Sequence, residues 1–120
     1  MDEQYINPYK LFKGIFIPNF IKCRTPEELS STTKLVYAEL CKFSGENGEC
    51  YPSQETLASE LGFKDVRQIR RAIKELKENY LIENKQRGWN QTSTYMFLDH
   101  KWMYEKTNSF RKDNNNNLFI

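Results

Sequence analysis

Residues 63–80 read FKDVRQIRRAIKELKENY, and the fold turns on how this stretch is read. Val66, Ile69, Ala72, Ile73 and Leu76 recur at helical spacing, while Arg67, Arg71 and Lys74 fall on the opposite side of the same helix. One face is built for burial and the other for contact with negative charge. Asp65 stands where an N-cap belongs, and Gln68 three residues on completes a capping box, so a helix over 65–79 is predicted.

Immediately upstream, Ser53 precedes Gln54-Glu55-Thr56-Leu57-Ala58-Ser59-Glu60-Leu61 as an N-cap, with acid in the first turn where the helix dipole favours it. Leu57, Ala58 and Leu61 face inward, and Gly62 follows where a left-handed residue is usually needed. Two helices joined by a short glycine-containing turn make the helix-turn-helix pattern. Downstream, residues 81–87 and 92–98 read as paired strands around a Gly88-Trp89-Asn90-Gln91 turn. A hairpin in that place is a wing. The expected fold is mainly α with a small β-hairpin (α+β), a winged helix-turn-helix.

A short helix that is apolar underneath and arginine-rich on top suits the major groove of DNA, because Arg can pair two donors with the guanine edge. Lys85 and Arg87 on the wing fit phosphate or minor-groove contact. Trp89 beside them is either a stacking contact or a lid on the hairpin's own base, and Asn90 shares its turn. The competing reading of Arg67, Arg71 and Lys74 is a solvated, salt-bridged surface, with Arg71 to Glu75 and Lys74 to Glu78 paired at i, i+4. The basic hairpin favours docking, and Glu75 and Glu78 lie toward the helix end that leaves the groove.

Around this centre the chain has less to say. A helix is expected to start near Ser31 or Thr32, either acting as cap, and to run to Ser44 before Gly45 stops it. Val36, Leu40 and Phe43, widened by Tyr37, form its buried stripe, leaving Lys34 and Lys42 for solvent. Residues 49–52 allow only a short extended piece before Pro52. Residues 1–30 are assigned to an N-terminal arm, with an extended segment at 14–21, GIFIPNFI, in which Phe16, Ile17, Phe20 and Ile21 lie partly buried. The alternative for this arm is that it reaches into DNA or swaps onto a partner subunit. The winged domain is assigned to 31–99, and 100–120 to a tail in which Trp102 and Met103 place a short helix before a disordered end.

The chain of 120 residues carries one compact domain's worth of core, and its formal net charge of +2 is weak evidence for a polyanionic partner. Distribution matters more. Between residues 64 and 87 the bases Lys64, Arg67, Arg70, Arg71, Lys74, Lys77, Lys85 and Arg87 outnumber the acids Asp65, Glu75, Glu78 and Glu83. Cys23, Cys41 and Cys50 form no CxxC pair and His100 is the sole histidine, so no metal site is expected, and the thiols read as reduced residues in or near the core. No apolar run is long enough for a signal peptide or a membrane span, which points to a soluble cytoplasmic product with no membrane partner. No nucleotide-binding glycine loop, carboxylate pair, or nucleophile with a base at workable spacing is present, so neither an enzyme nor a cofactor or small-molecule ligand is expected.

The run Leu29-Ser30, Lys34-Leu35-Val36-Tyr37, then Tyr51-Pro52-Ser53-Gln54-Glu55-Thr56-Leu57-Ala58, Leu61-Gly62, Arg71-Ala72-Ile73-Lys74-Glu75-Leu76 and Leu81-Ile82 resembles the winged helix-turn-helix domain of phage and plasmid replication initiators. The resemblance covers residues 16–98. It implies a second helix of the motif in the major groove, with Arg67, Gln68, Arg71 and Lys74 facing the bases, and with the Ser53 and Gln54 end of the preceding helix holding phosphate. One residue more than the usual pattern falls within 63–66, which shifts base reading toward Arg71 and Lys74 and away from Lys64 and Arg67. The same fold serves transcription regulators, partition proteins and conjugation accessory factors, so it fixes the pathway poorly.

Two functions follow as expectations. The first is sequence-specific binding of double-stranded DNA for a mobile element, in replication initiation, DNA transfer or partition, or their regulation. A homodimer is expected on grounds of site coverage, with Leu35, the N-terminal arm and the Trp102 region as candidate surfaces, and a replication or transfer protein as a further partner. The second is a winged-helix protein-interaction module of a replisome or transcription complex without DNA binding, docking through the apolar arm and the Trp102 and Met103 region.

Overall fold

The computed structural model describes residues 5–11, 13–45, 48–85 and 94–105. Two single-turn helices, α1 (Pro8–Leu11) and α2 (Asn19–Lys22), precede the long helix α3 (Ser31–Phe43). Then come strand β1 (Glu49–Cys50), helices α4 (Gln54–Leu61) and α5 (Arg67–Glu78), strands β2 (Ile82–Lys85) and β3 (Thr94–Phe97), and a 3-10 turn at Lys101–Tyr104. The expected α+β winged helix-turn-helix is what forms.

Ser30 caps α3 by accepting from the Thr33 amide, one residue before the positions expected from sequence. Val36, Tyr37 and Leu40 are buried along it and Phe43 packs at the rim. Its most extensive contact is with α5, whose Ile69, Ala72, Ile73 and Leu76 are buried as their spacing predicts. Fully burying each of Ile69, Ile73 and Leu76 is worth about 1.5–3 kcal/mol relative to exposure. This one seam therefore does much to set the orientation of α5.

The wing is a three-stranded antiparallel sheet in the order β1-β3-β2. In β2 and β3 the register places Ile82 opposite Phe97, Glu83 opposite Met96, Asn84 opposite Tyr95 and Lys85 opposite Thr94. The third strand was not expected as a sheet member: Glu49 and Cys50 pair with Met96 and Tyr95, so the segment before Pro52 closes the other edge of β3. Ile82 is buried, whereas Glu83, Asn84 and Lys85 are exposed, so β2 leaves the body as it runs outward.

The N-terminal segment departs from expectation. Residues 19–22 close one helical turn after Pro18 instead of continuing as a strand, with the Ile21 and Lys22 amides donating to the Pro18 carbonyl. Proline suits a helix start because its missing N–H would be unsatisfied there anyway. Ile21 is buried, Ile17 and Phe20 are half-buried, and Phe16 is exposed. Phe20 and Phe97 both meet Tyr37 edge-to-face, at 5.8 and 5.3 Å between ring centroids, which ties α2 and β3 to α3.

The core also recruits Ile21 and Leu29 from before residue 31 and Trp102 from after residue 99. Arg24 lies under Trp102, its guanidinium 4.6 Å from the ring centroid, and bonds Glu105 at 2.7 Å. Two segments far apart in sequence thus close on each other beside α3. His100 holds the 3-10 turn by accepting the Trp102 amide on Nδ1 and reaching the Asn79 carbonyl through Nε2. Lys34, expected in solvent, donates instead to the carbonyls of Lys22 and Arg24 and fastens this segment to α3.

Cys50 is buried and Cys41 half-buried, and burial pushes their thiols up to about 11 and about 12. Cys23, expected in or near the core, is exposed, because the turn after α2 points it outward. Among the described residues no helix is long and apolar enough to cross a membrane, and no group of His, Cys, Asp and Glu is placed to hold a metal ion.

Candidate nucleic-acid interface

Both helices of the motif end in the same way. Gly62, at φ 82°, follows α4, and the Phe63 amide reaches back to the Ala58 carbonyl while that of Gly62 bonds Ser59. This is a Schellman closure with glycine at its left-handed position. A Cβ at Gly62 would meet nothing within 4 Å, so the position selects glycine by conformation and not by space. After α5 the same closure recurs, with the Leu81 amide on the Leu76 carbonyl, that of Tyr80 on Lys77, and Tyr80 at φ 61°.

Their starts differ. Ser53 accepts the Thr56 amide and caps α4 as expected. Helix α5 begins at Arg67, two residues later than predicted, with Val66 in the cap position and no cap bond from its side chain. Asp65 still serves this end, accepting the Arg67 amide at 2.9 Å, but it does so from outside the helix, and no bond from Gln68 completes a capping box. The segment 63–66, where one residue more than the usual pattern is expected, lies entirely ahead of the first helical residue.

Among the candidate contact residues, Lys64, Arg67, Gln68, Arg70, Arg71 and Lys74 are all exposed, and Ser53 and Gln54 are half-buried at the start of α4. They do not stand equally free. Arg67 pairs with Asp65 at 2.9 Å, and that contact holds the Asp65 carboxyl below its usual range. Arg70 donates to the Gln54 side chain at 3.2 Å, linking α5 to the start of α4. Arg71 and Lys74 make no ion pair among the described residues.

The i, i+4 pairs of the competing reading, Arg71 with Glu75 and Lys74 with Glu78, are not formed. Glu75 turns instead to the N-terminus of α3, where Oε1 accepts from the Ser30 amide and hydroxyl, at 3.4 and 3.3 Å, and from the Thr33 hydroxyl. Thr33 is buried and its hydroxyl needs an acceptor, which explains the preference. No local pattern points to this partner, because Ser30 lies 45 residues away.

On the opposite flank, Lys42 of α3 bridges Glu39 and Glu60 of α4. Burial, reinforced by the nearby Glu60, raises the Glu39 carboxyl above its ordinary value. On the wing, Lys85 is exposed at the last described residue of β2. Arg87, Trp89 and Asn90, the other wing candidates, lie outside the described residues.

Residues 27–82 match the model of a family described as "Helix-turn-helix domain". No curated protein matches the chain. Among solved structures, one described as "Structure of Rep-DNA complex" is similar over 80% of this chain and 84% of its own, at 21% identity and a TM-score of 0.54. Another, described as "N-Terminal domain of DNA binding protein", covers 82% of this chain and 85% of its own at 18% identity and a TM-score of 0.46. The chain carries a winged helix-turn-helix domain. Its fold is similar to that of the chain matched in the first of these structures.

Proposed function

We propose that this protein binds double-stranded DNA sequence-specifically, with α5 in the major groove and the wing on the backbone or minor groove. The observation that carries the reading is the outward face of α5, where Arg71 and Lys74 stand exposed without an ion-pair partner among the described residues. Two free cations on one turn of an exposed helix are ready to exchange water and counterions for phosphate and base edges. Arg67, Gln68 and Arg70 extend that face, and Lys64 flanks it in the turn. Ser53 and Gln54 sit where the amides of the first turn of α4 meet phosphate. Lys85, with Arg87, Trp89 and Asn90, completes the contact surface from the wing.

The winged domain at 31–99, flanked by an N-terminal arm and a C-terminal tail, acts as the DNA-binding unit of a plasmid or phage. Its role is replication initiation, DNA transfer or partition, or control of these. Similarity to the fold of a Rep protein favours replication among them. A homodimer gives such a module enough sites to cover.

Fluorescence titration of duplexes at several salt concentrations tests this. Arg71→Ala is expected to cost about 1–3 kcal/mol and to relax preference at particular bases, whereas Lys85→Ala weakens all sequences alike and lowers the salt slope by about one. Equal binding by the wild type and both variants would end the proposal.

A second reading has its own observation. Tyr5, Ile6, Leu11 and Phe16 of the arm are exposed, a concentration of apolar side chains suited to a protein partner. A replisome or transcription module without DNA binding would use them, and absence of any duplex binding at low salt would select this reading.

A further inference from the structure

We propose that Glu75 is a positioning residue for Arg71: Ser30 and Thr33 hold its carboxylate away from Arg71, so that Arg71 remains free for an anionic partner. The inference rests on the DNA-binding reading for its purpose, but the arrangement is a property of the free protein.

Arg71 and Glu75 are four residues apart on one helix and line the same groove together with Ser30, Thr33 and Gln68. At that spacing two opposite charges ordinarily attract. Here the carboxylate oxygen is instead taken by the donors of Ser30 and Thr33. Helix α3 has no acidic residue in its own first turn, so the positive end of its dipole lacks the usual counter-charge. Glu75 supplies that charge from another helix. A single carboxylate therefore closes the seam between α3 and α5 and is withdrawn from the face that Arg71 and Lys74 present. Without the two hydroxyls it would swing back to Arg71, cancel its charge and add a negative group beside the phosphates.

The test compares wild type, Ser30→Gly with Thr33→Val, Glu75→Gln, and the triple combination. Glycine is chosen at position 30 because it is tolerated at an N-cap, and thermal melts at the titration temperature confirm that each chain is folded. On a duplex that the wild type binds, removing the hydroxyls lowers affinity by about fivefold at low salt, the upper end of what an exposed ion pair is worth, and adding Glu75→Gln restores it. A merely structural Glu75 predicts the reverse, with the triple variant binding no better than the double. The second readout needs no DNA: in NMR spectra of the free proteins, exchange of the Arg71 Nε proton slows in the double variant and returns to the wild-type rate in the triple. Unchanged exchange in the double variant overturns the inference. Failure of the wild type to bind any duplex ends the DNA reading alone, and the exchange measurement still decides this one.

Discussion

Helices α4 and α5 are neighbours in one motif, but they are built by different rules. Helix α4 starts at a serine cap, ends at a left-handed glycine, and is held to α3 through the Glu60, Lys42 and Glu39 cluster. Helix α5 starts with Val66 at the cap position, ends at a left-handed tyrosine, and is held to α3 through Glu75 on Ser30 and Thr33. The supporting helix follows local chemistry at both ends, whereas the presenting helix departs from it at both ends and relies on its buried seam. Local rules are most often relaxed where a protein does its work, and α5 fits that pattern.

The largest expected effect probes the side the two helices share. Leu57 of α4 and Leu76 of α5 are both fully buried, so Leu57→Ala and Leu76→Ala should each cost about 2–5 kcal/mol in denaturant unfolding. A cost under about 1 kcal/mol for Leu76 would show that α5 is not seated as described.

The helix ends come next. Gly62→Ala places a Cβ in a left-handed backbone and should destabilise by about 1–2 kcal/mol. Tyr80→Gly should act in the opposite sense, raising stability by about 0.5 kcal/mol once the greater freedom of the unfolded glycine chain is subtracted from the strain relieved. Loss of stability in Tyr80→Gly would mean that the tyrosine ring contributes packing that outweighs its backbone strain, and the contrast between the two ends would disappear.

The helix starts differ in how they respond to pH. Ser53→Ala should cost about 1 kcal/mol at any pH, because a hydroxyl cap does not titrate in the working range. Asp65 behaves differently. Its carboxyl is held below the usual range by the Arg67 side chain and then by the Arg67 amide, so the folded state favours the ionised form. Its contribution is therefore present above the unfolded value and is lost as pH falls through the folded one. The stability gap between wild type and Asp65→Asn should close on acidification across that window, while the gap for Ser53→Ala persists. A gap independent of pH would remove Asp65 from the start of α5.

What could be read before folding follows from distance along the chain. The caps and stop of α4, the buried stripe of α5 and the hairpin strands depend on residues within a turn or a strand of each other, and each is visible as spacing. Residues 19–21 read as extended because their β-branched and aromatic content outweighs the helix-starting role of Pro18. Tyr80 gave no signal at all, since only glycine or asparagine advertises a left-handed closure.

The sequence by itself determined the class of fold and the cationic character of α5, because both are periodic patterns that need no distant partner. Only the tertiary structure decided which of those cations stand free. Arg67 is engaged by Asp65 and Arg70 by Gln54, while Arg71 loses its natural neighbour to Ser30 and Thr33. Tertiary structure likewise recruited Glu49 and Cys50 to the edge of β3 and brought Arg24 under Trp102. Apart from Asp65 on Arg67, which are two residues apart, each polar or edge group was satisfied by a segment that folding, and not sequence order, brought near, and no local pattern encodes that choice.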